Sequence, residues 1–274
     1  EVHALDRDPQ ALTLLKRIAD RASSQGLVAP IASLRTDVRD LSVAGWDASF
    51  GRYDLVTAGL ALVELTRHLG AESTRAEALA SHLETALAHV EDDGALVVIE
   101  PASRDDARAL QQARALLLAR GVTVFAPCPH AGPCPMLTSP RDWCHDDLAD
   151  VTLPPWLHGV AREAGLRWEG VTFAYLVLRR DGRTLRDAVA PGRRALRLLS
   201  PPIATKGKTE AVACAGEAPL RVMELARAAK RAEGDTLGAC ARGDVLVLEE
   251  GAAMEPGATT RLTPGTWRRV ATPE

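Results

Sequence analysis

Residues 126–136 read Ala-Pro-Cys-Pro-His-Ala-Gly-Pro-Cys-Pro-Met, and Trp143-Cys144-His145 follow shortly afterwards. Because proline fixes φ and lacks an amide donor, this segment is expected to be a stiff loop, not a helix or a central strand. Three of the five cysteines, Cys128, Cys134 and Cys144, lie within it. Thiols clustered in such a loop are typical of a metal or iron–sulfur site.

Before the loop, short apolar strands alternate with amphipathic helices. The predicted strands are Val2–Leu5, Ile31–Leu34, Tyr53–Leu62, Ala95–Ile99 and Val122–Phe125. The predicted helices begin at Asp8-Pro9, at about Thr74 with a possible capping box to Glu77, and at Ser103, and Gly94 is expected to end the second one. This alternation predicts an α/β fold with a doubly wound, mostly parallel sheet.

After the loop, Val171–Arg179 reads as a longer strand, and the pattern changes near residue 186. Short strands are predicted at Leu196–Leu199, Thr209–Cys214 and Asp244–Glu249, with one helix over about Pro219–Ala232. The predicted organisation is therefore a domain over 1–185, with a Cys-rich insertion at 127–164. A small basic domain with β structure is predicted over 186–274.

Composition restricts the class of protein. The chain has 274 residues, of which 46% are hydrophobic and 25% charged, as in globular proteins, and no apolar run approaches the roughly 20 residues of a spanning helix. Five cysteines without regular spacing favour a reducing compartment over secretion. Residues 1–110 carry 11 Lys and Arg against 18 Asp and Glu, whereas residues 193–231 carry 9 against 3. The basic region indicates a polyanionic partner or simply a solvated basic face.

Three thiols leave a metal site one ligand short, and the sequence offers several candidates for the fourth. They are His130, His145, Cys214 and Cys240, of which Cys214 ends a predicted strand. Thiolates suit Zn²⁺ and iron–sulfur clusters equally well on chemistry alone. The alternative is that the cysteines are ordinary buried apolar side chains, which are common.

Two carboxylates follow predicted strands in the first part of the chain. Asp6 comes after the first strand and Asp37 after the second, and an acidic residue at such a position binds ribose hydroxyls in doubly wound folds. The order of elements resembles the class I S-adenosylmethionine-dependent methyltransferases from their second strand onward. The resemblance implies a cofactor site at Asp6, Asp37 and Gly59, with the fold's first strand absent from this chain and expected in an upstream segment. Alternatively, the carboxylates only cap helices or turns.

A second resemblance is more specific. Several stretches are considered together: Ala126-Pro-Cys-Pro-His130, Cys134-Pro135, Trp143-Cys144-His145, Phe173-Ala-Tyr-Leu-Val-Leu178, Arg197-Leu-Leu-Ser-Pro-Pro202, Lys206-Gly-Lys208 and Cys214. In these stretches the chain resembles the methyltransferase-like proteins of the mitochondrial ribosomal small subunit and their bacterial relatives. The family usually has an aromatic residue where this chain has Asp146. The resemblance implies a 4Fe–4S cluster on Cys128, Cys134, Cys144 and Cys214. It also implies work on the small ribosomal subunit, in a bacterial cytoplasm or, for a eukaryotic protein, in the mitochondrial matrix.

Three functions remain open on these residues. The first is an assembly factor with a structural cluster, whose Arg193, Arg194, Arg197, Lys206 and Lys208 contact rRNA phosphates. The second is an active S-adenosylmethionine-dependent rRNA methyltransferase. No catalytic residue is named for it, because the stretch after Gly59 lacks the Asn/Asp-Pro-Pro-aromatic set of amino methyltransferases. The third is a zinc-stabilised RNA-binding module.

Overall fold

A computed structural model of the protein describes residues 1–27, 34–38, 51–148, 151–166, 170–216, 218–249 and 259–270. The chain forms two compact units, Glu1–Gly51 and Arg52–Glu274, which are described separately. The predicted domain boundary at 185/186 stays a prediction. None of the described helices has the length and apolar character needed to cross a membrane.

The first unit contains β1 (Val2–Asp6), α1 (Pro9–Ser24) and β2 (Leu34–Val38). β1 and β2 pair in parallel, with Asp6 opposite Val38. The predicted start of α1 is confirmed, because the Asp8 carboxylate accepts a hydrogen bond from the Gln10 amide at 2.8 Å and Pro9 occupies the first turn. The predicted strand Ile31–Leu34 lies mostly outside the described residues.

The second unit begins with a mixed sheet. Its elements are β3 (Tyr53–Gly59), α2 (Leu62–Thr66), α3 (Glu72–Leu87), β4 (Val90–Pro101), α4 (Arg104–Ala119), β5 (Thr123–Ala126), β6 (Asp146–Leu148), α5 (Pro155–Glu163), β7 (Val171–Arg179) and α6 (Leu185–Val189). The strand order is β3-β4-β7-β5, and β6 also pairs with β7. Helices α3 and α4 pack with Leu79, Leu83, Leu110 and Leu117 fully buried.

Strand direction differs in part from the predicted mostly parallel sheet. β3 and β4 are parallel, but β7 is antiparallel to β4, β5 and β6. A connection that stays at one end of a sheet returns the chain in the opposite direction, whereas a crossover preserves the direction. The fold is therefore mixed α/β, and the Cys-rich loop begins where β5 ends.

The last part of the chain forms a seven-stranded sheet. Its strands are β8 (Arg194–Leu198), β9 (Ile203–Thr205), β10 (Lys208–Cys214), β11 (Pro219–Leu225), β12 (Val245–Leu248), β13 (Thr260–Leu262) and β14 (Trp267–Arg269), with the short helix α7 (Ala226–Ala229) after β11. The order is β13-β11-β10-β8-β12-β14, and β9 pairs with β10. Leu196, Leu198, Val222, Leu246 and Trp267 are among the side chains of its core.

The helix predicted over Pro219–Ala232 is wrong for its first half. Pro219–Leu225 is strand β11, and only Ala226–Ala229 is helical. Leu220, Val222 and Glu224 are buried while Arg221 is exposed, which is the two-residue period of a strand. The antiparallel pairing of β11 with β10 fixes that period.

Candidate metal centre

Four cysteine side chains from both sheets of the second unit come together. Cys128 follows β5, Cys134 precedes a 3₁₀ turn, Cys144 precedes β6, and Cys214 is the last residue of β10. Each is buried, with 4–7% of its surface exposed, and none forms a disulfide. Cys134, Cys144 and Cys214 pack in one cluster with Leu199, and Cys128 interacts electrostatically with all three. The structure therefore brings together the four predicted ligands.

Helix α4 holds the Cys-rich loop in place. The side chain of Arg114 is fully buried and donates hydrogen bonds to the carbonyl oxygens of His130 at 2.5 Å and Gly132 at 3.0 Å. Arg108, about two turns earlier, donates to the carbonyl oxygens of Ser139 at 2.8 Å and Asp142 at 2.9 Å. A loop rich in proline has few amides of its own to satisfy these carbonyls, so the two arginines supply the donors.

The seven-stranded sheet presents the fourth cysteine. Cys214 lies opposite Arg197 of β8 on one side and opposite Pro219 of β11 on the other. Its sulfur is 3.0 Å from Nε2 of His130, which comes from the Cys-rich loop. A residue at a strand end between two neighbouring strands has little freedom to move. Cys214 thus connects the seven-stranded sheet to the loop between β5 and β6 of the mixed sheet.

The other candidates for a fourth ligand occupy different surroundings. The ring of His145 stacks on Trp143, with ring centroids 5.5 Å apart. Cys240 packs against the core of the seven-stranded sheet, and its thiol donates to the carbonyl of Thr236. Cys240 is therefore a partly buried small side chain outside the four-cysteine cluster.

The thiols of the four cysteines are buried and lie beside two buried cations, Arg114 and Arg197. Burial raises the pKa of Cys134 and of Cys214 to about 12, and the neighbouring cysteines act in the same direction. Burial also raises the pKa of Cys128, whereas the positive charge of nearby Arg114 acts to lower it. Burial lowers the pKa of His130 to about 4, so its ring is neutral at pH 7. Thiolates at these positions require a cation to compensate their charge.

The donor set fits a thiolate-bound metal group by its chemistry. Four cysteine sulfurs are the ligands of a structural zinc ion or of a 4Fe–4S cluster. Within the described ranges, no group of three or more His, Cys, Asp or Glu side chains stands in the arrangement that a single metal ion needs. Nε of Arg114 and Nε of Arg197, both buried near the cysteines, have no hydrogen-bond partner among the residues that the structure describes. These atoms leave donor capacity around the sulfurs.

Two predicted cofactor residues lie in the first unit and one in the second. Asp6 ends β1, and its carboxylate accepts a hydrogen bond from the Asp8 amide at 2.8 Å. Asp37 is opposite Leu5 in the β1–β2 pairing, and Gly59 ends β3. Parallel pairing sets Asp6 and Asp37 near the same end of their sheet. The Asp8 contact agrees with the capping alternative, and cofactor binding stays a prediction.

The predicted rRNA-binding residues have different environments. Arg194 and Lys206 are exposed, whereas Arg193 forms an ion pair with Glu249 at 2.6 Å and Lys208 with Glu210 at 2.7 Å. Arg197 is 2% exposed and donates to Cys144 and Asp146, so it differs from the prediction and belongs to the cysteine cluster. A buried side chain of this kind has no access to phosphate at the surface.

Sequence reasoning missed Arg108, Arg114 and Asp146 as parts of the site. Arg114 lies four residues after Leu110 and three before Leu117, so it shares the buried face of α4. A charged residue within an apolar stripe was the available signal, because buried charges need partners. Its partners are loop carbonyls, which the sequence pattern does not identify.

Comparisons with known proteins give one clear match. The family model described as mitochondrial small ribosomal subunit Rsm22 matches residues 2–243. No curated protein matches the chain. Fourteen chains of solved structures match, including a proposed methyltransferase from Thermoplasma acidophilum. That match has 13% identity and a TM-score of 0.33, and it covers 66% of this chain and 58% of that protein.

Proposed function

The chain belongs to the Rsm22 family of the mitochondrial small ribosomal subunit, and from this premise we propose that it is a small-subunit assembly factor. In this proposal it is a methyltransferase-like protein that binds rRNA and carries a structural 4Fe–4S cluster. Cys128, Cys134, Cys144 and Cys214 are the proposed ligands. The proposed place of action is the mitochondrial matrix, or the cytoplasm if the protein is bacterial.

The convergence of four buried cysteines carries the proposal. Three of them come from a loop that α4 holds, and the fourth comes from β10 of the other sheet. A metal group bound to all four would join the two sheets at one point. Such a group stabilises the folded state by its binding free energy, since the unfolded chain has no preformed site.

We propose a four-iron cluster in preference to a zinc ion, because a cluster does not need its four sulfurs to surround one atom. A single ion needs all its ligands within bonding distance of one atom, and the described residues contain no such group. A 4Fe–4S cluster takes one thiolate on each of four irons, so its ligands stand further apart. Zinc remains the alternative that the following experiment tests.

Metal analysis of the purified protein tests the cluster. We expect a brown protein with about four irons and four sulfides per chain. The Cys214→Ser protein should lose this iron and sulfide. The Cys240→Ser protein, in which a cysteine outside the cluster is changed, should keep them. A colourless protein with one zinc would support the zinc-stabilised module instead. A metal-free protein purified without oxygen would contradict both.

Exposed cations of the seven-stranded sheet support rRNA binding. The amide of Ala226 donates to the carbonyl oxygen of Gly207 at 2.9 Å, which brings the β9–β10 turn beside α7. Four exposed cations lie on the turn, on α7 and directly after α7: Lys206, Arg227, Lys230 and Arg231. Among the described residues none of the four forms an ion pair. They are free to neutralise phosphates, an interaction that positions RNA without reading its sequence.

RNA binding should therefore depend on these four side chains and on salt. Replacing Lys206, Arg227, Lys230 and Arg231 with Gln should weaken binding to small-subunit rRNA fragments of any sequence. The slope of log K against log salt should fall by about one for each phosphate that the variant no longer neutralises. Arg120→Gln is the control, because Arg120 already pairs with Glu77 and Glu84. An unchanged slope would refute this surface, and absence from small-subunit particles of cells would refute the ribosomal role.

The parallel β1–β2 pair favours a second candidate, an active S-adenosylmethionine-dependent rRNA methyltransferase. The pairing sets Asp6 and Asp37 at the carboxyl ends of adjacent strands, as nucleotide-type cofactors require. Methyl transfer from labelled cofactor to deproteinised rRNA would support it. Cofactor binding that Asp6→Asn and Asp37→Asn leave unchanged would contradict the proposed site.

A further inference from the structure

Arg197 is a buried cation that faces a cysteine sulfur. It lies in β8 with 2% of its surface exposed. Nη1 donates to Sγ of Cys144 at 3.2 Å, and Nη2 donates to a carboxylate oxygen of Asp146. Nε is buried without a partner in the described residues. Burying a guanidinium costs several kcal/mol unless charge or hydrogen bonds compensate it, so the burial of Arg197 needs an explanation.

The surroundings of Arg197 fix its orientation. Asp146 is 7% exposed and begins β6, two residues after Cys144. Gly243, at φ +89°, leaves room for this carboxylate, since a Cβ there would lie 2.5 Å from Oδ1 of Asp146. Cys144 lies at the end of the Cys-rich loop and Asp146 at the start of β6, while Arg197 lies in β8 and Gly243 in the turn before β12. The planar guanidinium spans both groups, which a point charge such as a lysine ammonium cannot do.

Two buried arginines flank the four cysteines. Arg114 lies on the side of Cys128 and His130 and bonds only to neutral carbonyl oxygens. Arg197 lies on the side of Cys144, and both cations act electrostatically on Cys128. Four thiolates around an iron–sulfur cluster or a zinc ion leave a net negative charge in a buried place. Cations beside such a centre stabilise it, and hydrogen bonds to its sulfurs raise its reduction potential.

We propose that Arg197 is a positioning residue for the metal centre, which compensates its negative charge through the hydrogen bond to the Cys144 sulfur while Asp146 orients the guanidinium. This inference rests on the proposed function, because it needs a thiolate-bound metal. It adds a role for a residue outside the four ligands. It also gives a function to the buried Arg197–Asp146 pair.

The test compares two buried arginine–aspartate pairs. Arg197→Met with Asp146→Asn removes both charges beside Cys144 without leaving a lone buried ion. Arg75→Met with Asp106→Asn is the matched control, since Arg75 and Asp106 form a buried pair at 2.5 Å between α3 and α4. Metal content, the midpoint reduction potential and the rate of metal loss to a chelator are measured on each holoprotein. Arg197→Lys, which keeps the charge, serves if the double variant does not fold.

We expect the Arg197→Met/Asp146→Asn protein to lose metal about tenfold faster or more, the effect of one charge-assisted hydrogen bond. Its potential should shift to more negative values, and Arg197→Lys should shift it in the same direction. The control pair should change stability but neither the potential nor the rate of metal loss. Equal potentials and loss rates in wild type and variant would overturn the role of Arg197 alone. A wild-type protein without metal would overturn the proposed cluster as well.

Discussion

At the scale of single residues, the second unit buries several charges, and each has identifiable partners. Arg75 pairs with Asp106, Arg197 with Asp146 and the Cys144 sulfur, and Arg114 with loop carbonyls. Glu100 differs, because it is fully buried and accepts hydrogen bonds only from the amides of Leu62, at 3.0 Å, and Val63, at 3.4 Å. No cation pairs with it among the described residues. The ionisation of Glu100 in the folded state is therefore unfavourable.

The stability of the fold should fall as Glu100 ionises. Burial raises the pKa of Glu100 from 4.5 to about 7, although the two amide hydrogen bonds act in the opposite direction. Between pH 4.5 and 7, Glu100 is therefore protonated in the folded state and ionised in the unfolded state. The free energy of unfolding should decrease by roughly 3 kcal/mol over that range. Urea unfolding at a series of pH values measures this decrease.

Glu100→Gln should remove the pH dependence that Glu100 causes. The amide keeps one oxygen to accept the shorter bond from Leu62, so the variant should match the protonated wild type within about 1–2 kcal/mol. Above pH 7 the variant should be the more stable protein. Glu163→Gln is the control, because Glu163 is an exposed carboxylate at the end of α5. If Glu100→Gln keeps the full wild-type slope, another group is responsible.

At the scale of elements, the sequence correctly predicts helix starts that depend on neighbouring residues. Asp8 and Ser103 cap α1 and α4 as predicted, because an N-cap side chain bonds to an amide two or three residues away. The predicted capping box at Thr74 is wrong, since α3 begins at Glu72 after Ala71 without a side-chain cap. Gly94 does not end that helix but lies within β4. Strand pairing decides such positions, and a single sequence carries little information about pairing.

Gly94 allows a close approach of β3 and β4. A Cβ at this position would lie 2.6 Å from the carbonyl oxygen of Asp54 and 2.8 Å from Cγ1 of Val90. The pairing register shifts nearby, between Tyr53 and Leu55. Gly94→Ala should therefore destabilise the protein by about 1–3 kcal/mol, because backbone must move to admit the methyl group. Gly159→Ala, in α5 with no atom within 4 Å, should instead stabilise by about 0.5–1 kcal/mol. Thermal unfolding of both variants checks the opposite signs.

At the scale of the whole molecule, the sequence predicts which cysteines lie close together better than it predicts the surrounding architecture. The Cys-rich loop was recognisable from its motif, whereas Cys214 was one of four candidates until the family resemblance selected it, and the structure brings them together. The antiparallel β7 and the removal of Arg197 from the surface depend on contacts between residues far apart in the chain. Residue spacing does not encode such contacts. The same contacts make the cluster the junction of two sheets.

Loss of the proposed metal centre should therefore loosen the junction and leave the helices unchanged. In metal-free protein, the four buried thiols regain protons and the cluster no longer links the loop to β10. Backbone amides of residues 128–144 and of the β10 end near Cys214 should exchange hydrogen faster, by about tenfold or more for each 1.4 kcal/mol of linkage removed. Amides of α3, whose Leu79 and Leu83 are fully buried away from solvent, should exchange at the wild-type rate. The control is the Cys240→Ser protein with its metal retained. If the α3 amides also exchange faster in the metal-free protein, the centre stabilises the unit as a whole and not the junction.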